Sequence, residues 1–152
     1  MSAQSTKPPV DWRKVLAAAG PYPLPAFEFV REGLGYTSQR LHGQHGLPAP
    51  QRAERSDRKR HVNGQQLCLG LRDYAIQQYG LLAPTVLSNW HVRRTDDFGR
   101  IVYAMIEAGM MSREDDDSFE DFRSVYDFDE AFSRDALLAG IGAATATPAR
   151  TR

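Results

Sequence analysis

The chain of 152 residues is 41% apolar and 25% charged, a composition that allows one folded core with tails and excludes a second full domain. A single cysteine, Cys68, excludes an internal disulfide, and the lack of a signal-peptide pattern or of about 20 consecutive apolar residues points to the cytoplasm and away from the membrane. The zero net charge is a cancellation, because residues 1–100 carry 14 Lys and Arg against 8 acids while residues 101–152 carry 5 against 11, which suits pairing between the halves or a charged partner.

In chain order, "MSAQSTKPPV" (residues 1–10) has no periodicity and is expected to be a disordered tail. Residues 11–41 form an N-terminal helical unit. In "DWRKVLAAAG", Trp12, Val15, Leu16 and Ala19 share one helical stripe. After the extended "PYPLP", Phe27, Val30 and Leu34 mark a second short helix, with Pro25 in a tolerated first-turn position and Gly33 and Gly35 weakening its end. Residues 42–60, rich in Gly, Pro and alternating charge, make a linker.

The main unit, residues 61–138, opens on a helix with capping-box spacing at Asn63 and Gln66, an apolar stripe of Leu67, Leu71, Tyr74 and Ala75, and a stop at Gly80. "APTVLSNW" gives a second helix of about two turns. Thr95 is then the expected N-cap of a third, with Asp96 and Asp97 against its positive end. In this helix Phe98, Ile101, Val102, Met105 and Ile106 recur with helical period until Gly109. Beyond it, "MMS" and "FRSVYDF" read as two strands around the polar turn "REDDDS", with Phe122, Tyr126 and Phe128 on one face, although a helical reading of the same stretch stays open. "DEAFSRDALL" closes the unit as a helix, and residues 139–152 form a second disordered tail. The order predicts a mainly α (α+β) fold, a winged-helix-like three-helix core with a short β-hairpin, preceded by two short helices.

Such a core raises the question of DNA binding. Once the apolar side chains of the third helix face inward, Asp96, Asp97, Gly99, Arg100, Tyr103, Ala104 and Glu107 are left for a groove. Three acids against one arginine repel phosphate, and Arg93 and Arg94 in the preceding turn add a weak footprint. The second basic candidate is the run containing Arg58, Lys59 and Arg60, which has no aromatic residue to stack a base.

Catalytic and metal signals are fewer still. Cys68 lies beside the leucine stripe as a buried structural thiol, and His91 beside Trp90 reads as a helix-end residue. His42, His45 and His61 lack partners at a metal-ligand spacing, and Asp115, Asp116 and Asp117 lack the glycine and distal glutamate of a calcium loop. No phosphate loop, nucleophile elbow or zincin helix is present, so neither an enzyme nor a cofactor is expected.

The segments "FEFVREGLGYT", "HVNGQQLCLGLRDYAIQQYG", "TVLSNWHVRRTDDFGRIVYAMIEAGMM" and "SFEDFRSVYDFDEAF", within residues 26–132, resemble a small bacterial family of unknown function largely restricted to planctomycetes and verrucomicrobia. The resemblance implies no activity, cofactor or site residue. In that family a glycine often follows the tryptophan where this chain has His91. The expectation is therefore a cytoplasmic, non-enzymatic protein-interaction or regulatory module with a protein partner. A nucleic-acid-binding regulator using Arg93, Arg94, Arg100, Arg58, Lys59 and Arg60 is the alternative.

Overall fold

The computed structural model describes residues 12–42, 61–114 and 117–145. The expected tail 1–10, the linker beyond His42 with Arg58, Lys59 and Arg60, the loop residues Asp115 and Asp116, and the end of the second tail lie outside the described residues.

Seven helices follow one another among the described residues: α1 (Trp12–Ala19), α2 (Leu24–His42), α3 (Gly64–Tyr79), α4 (Ala83–Asn89), α5 (Thr95–Glu107), α6 (Phe128–Ala131) and α7 (Arg134–Thr145). The centre is α3, which packs against α2, α4, α5 and α7 and buries Leu67, Cys68, Leu71, Ala75 and Ile76. Its start is fixed as the capping-box spacing predicts. The Asn63 side chain accepts from the Gln66 N–H at 2.8 Å, and the Gln66 side chain accepts from the Asn63 N–H at 3.0 Å.

The glycines expected to weaken α2 lie inside a helix of 19 residues. Gly35 faces open space, whereas Gly33 lies at the crossing with α3. A methyl group on Gly33 would meet the Leu71 side chain, and one on Gly70 would meet Thr37, so each helix offers a bare position to a side chain of the other. Close packing outweighs the roughly 1 kcal/mol helix penalty of each glycine.

No strand forms among the described residues, which overturns the β-hairpin and with it the α+β, winged-helix-like class. The described residues from 110 to 127 instead make irregular chain and a 3-10 turn at Phe119–Phe122. The alternation of Phe122, Tyr126 and Phe128 arises because they are claimed separately by α3 and α5. Phe122 fills the space left by Gly64 and Gly99, where a methyl group would come within 3 Å of its side chain. The Tyr126 hydroxyl donates to the Cys68 carbonyl at 2.8 Å, and the Phe128 ring lies 5.8 Å from that of Phe98.

Thr95 is the first residue of α5 rather than its cap, which is Arg94. Its fully buried hydroxyl donates to the Phe122 carbonyl at 2.6 Å and accepts from the Val125 N–H at 3.1 Å, tying the loop to the helix. At the other end, the closing helix breaks at Phe132 and Ser133 and then runs through Thr145, past the expected end of the unit at Leu138. Gly140 lies against Ile76 of α3, a contact that holds the extra turns down.

Candidate functional site

Of the predicted basic contacts, Arg93, Arg94 and Arg100 gather around one acid, Asp97. Asp97 is only 7% exposed, and its carboxylate accepts four hydrogen bonds. They come from the Tyr22 hydroxyl, the Arg93 N–H at 2.8 Å, the Arg94 N–H at 3.1 Å and the Arg100 guanidinium at 2.6 Å. The acid expected to face a groove thus fastens the turn before α5 and holds the Arg100 side chain. Burial, and then the bond to Asp97, push the Tyr22 phenol up to about 12. The side chains of Arg93 and Arg94 are exposed beside a polar groove that also holds Asp96, Asp127 and Asp129.

The face of α5 meant for a partner is also closed. Thr95, Asp97, Gly99 and Ala104 are buried along with the apolar stripe, and of the groove-facing set only Arg100 and Glu107 are exposed. Tyr103 is half-buried, with its ring 5.8 Å from Phe119 and 6.3 Å from Phe122.

That ring stands at an open pocket of about 260 Å³. It is lined by Leu34 and Ser38 of α2, Leu67 of α3, Val102 and Ile106 of α5, and Met111, Asp117, Asp121 and Phe122 from the stretch after α5. Among its polar lining groups His61 and Asp117 lie outside the helices.

His61 and Asp117 are brought together from 56 residues apart: the imidazole Nε2–H donates to Oδ1 at 2.7 Å. The other carboxylate oxygen accepts from the Glu114 N–H at 2.8 Å, and the His42 ring donates to the His61 carbonyl at 3.0 Å. Both oxygens of Asp117 are therefore engaged within the fold. Asp121 is less tied, because its carboxylate accepts only from the Ser118 N–H at 3.3 Å among the described residues.

An Asp-fixed imidazole beside a pocket invites a catalytic comparison. A working nucleophilic site needs a hydroxyl or thiol within hydrogen-bond reach of the ring. No such bond to the His61 ring occurs among the described residues. Cys68 is fully buried under α2, and burial pushes its thiol up to about 12, so it stays protonated and unreactive. His42 and His61 meet through a backbone carbonyl and do not converge on an ion, and no cluster of three potential ligands is found among the described residues; His45 lies outside them.

The His61–Asp117 pair and the free edge of Asp121 were invisible to motif reading. The only signals were a histidine just before a helix cap and serine and aspartate at capping-box spacing in "SFED". No helix among the described residues is long and apolar enough to cross a membrane. No protein-family model matches the chain, and comparisons with curated proteins and with solved structures find no match.

Proposed function

We propose that the protein is a cytoplasmic, non-enzymatic interaction or regulatory module that engages a protein partner at the pocket between α2, α5 and the 111–122 loop. One observation carries the proposal: an open pocket of about 260 Å³ is lined mainly by apolar surface and carries a few hydrogen-bonding groups. Apolar pockets with a polar rim are where single anchor side chains contribute most to protein association. Nucleic-acid binding has weaker support, because Arg100 is tied to Asp97 and the groove beside Arg93 and Arg94 holds three carboxylates.

The test is affinity capture from nuclease-treated lysate with the parent protein and with Ser38→Trp and Ser112→Trp, which place an indole at the mouth. A protein retained by the parent and depleted at least about tenfold by both variants supports the reading. Capture that disappears with nuclease, or that both variants preserve, overturns it.

A further inference from the structure

The pocket has a chemical polarity that narrows its occupant. The part of the lining that follows α5, Met111, Ser112, Asp117, Ser118, Asp121 and Phe122, brings two carboxylates to the pocket. Nearby, Arg123 is paired with Glu120 at 3.4 Å. Among the described residues no Lys or Arg lines the pocket, and the charged lining groups are Asp117 and Asp121, with His61 bonded to the first. Both oxygens of Asp117 are occupied, whereas Asp121 keeps acceptor capacity beside the apolar lining. A carboxylate placed there favours a donor-rich, positive group and repels an anionic one.

Size supplies the second constraint. An apolar cavity of about 150 Å³ holds benzene, so one of about 260 Å³ suits a group of about ten heavy atoms. That is the size of an indole side chain. The lining side chains of Leu67, Val102, Ile106 and Phe122 offer such a group apolar and aromatic contacts.

We infer that the pocket takes a bulky aromatic side chain flanked by basic residues on a peptide segment of the partner protein, with the aromatic group against those side chains and the cation against Asp121. This rests on the reading of the pocket as a partner site. It adds the partner's chemistry, which that reading leaves open.

The test uses the full chain, labelled for amide NMR, and three probes: a capped Lys-Trp-Lys peptide, its Glu-Trp-Glu counterpart and tryptamine. At about 50 mM salt the lysine peptide should give saturable shifts centred on Leu34, Val102 and Ile106. Its affinity should exceed that of the glutamate peptide by about tenfold or more, a margin that shrinks at about 500 mM salt as the charges are screened. Asp121→Asn should weaken the lysine peptide about threefold while leaving the remaining spectrum in place, and Ser38→Trp should abolish its binding.

Equal or tighter binding of the glutamate peptide overturns the inference, as does the absence of saturable shifts with either peptide. Shifts centred on the groove beside Arg93 overturn it as well. Tryptamine binding as tightly as the lysine peptide would reassign the pocket to free amines and overturn the peptide source. Failure of the lysine peptide while Ser38→Trp still removes a captured protein would refute this partner chemistry and leave the proposed function standing. Peptide binding with capture unaffected by Ser38→Trp would refute the function instead.

Discussion

Two acidic regions of the molecule use the same side chain in opposite ways. Before α5, Asp97 is buried and accepts four hydrogen bonds from Tyr22, two backbone N–H groups and Arg100, so its charge is consumed inside the fold. In the 111–122 loop, Asp121 is half-buried and holds one bond of 3.3 Å at the lip of an apolar pocket. Counting acids along the chain treats the two alike. What separates them is where their donors come from, and a carboxylate that still has unused acceptor capacity beside apolar surface is the one able to recognise something else.

The comparison is sharpest in stability. Phe98 lies at 0% exposure just after Asp97, so Phe98→Ala should cost about 3–5 kcal/mol through lost burial and a cavity. An unchanged urea midpoint would mean that the turn before α5 is not built on a packed helix. Asp97→Ala should cost about 2–4 kcal/mol, since it strands the Tyr22 hydroxyl and the Arg93 and Arg94 N–H groups. Asp121→Ala should stay within about 0.5 kcal/mol of the parent, as surface substitutions do. Equal losses from the two aspartate variants would erase the distinction.

A pH series probes the same buried side. Burial pushes the Cys68 thiol up to about 12 from 9.0, and burial with the bond to Asp97 pushes the Tyr22 phenol up to about 12 from 10.0. The unfolded chain releases both protons at the lower values. Their contribution is therefore intact below about pH 9 and is lost as the pH rises toward 12, with a fall of about 2 kcal/mol expected by about pH 10 in denaturant titrations and a larger one above it. Tyr22→Phe should flatten the fall above pH 10, and a slope identical to that of the parent would remove Tyr22 from the account. A further small effect concerns the turn that leads into Asp97, where His91 sits at φ +64°, a region that glycine occupies without strain. His91→Gly should raise stability by about 0.5–1 kcal/mol after the entropy of the unfolded chain is charged. A loss would show that the imidazole makes a compensating contact.

Legibility in the sequence followed the range of the interactions. The stripe of Phe98, Ile101, Val102 and Met105, the box at Asn63 and Gln66, and the stop at Gly80 are written within a few residues of one another, and they appear in the structure as read. Gly33 misled for the opposite reason, since the side chain that needs its bare surface, Leu71, lies on another helix. Phe122, Tyr126 and Phe128 mimic a strand because two-residue alternation is also what results when successive side chains are claimed in turn by α3 and α5.

By itself, then, the sequence determined the helices with a repeating apolar face and local caps, because period and capping act over a turn or two of backbone. Only the tertiary structure decided that residues 110–128 carry no strand among those described, that Asp97 is an internal fastener, and that His61 meets Asp117 across 56 positions beside an open pocket. Those outcomes depend on which distant donor or cavity each side chain reaches, and no spacing along the chain encodes that distance.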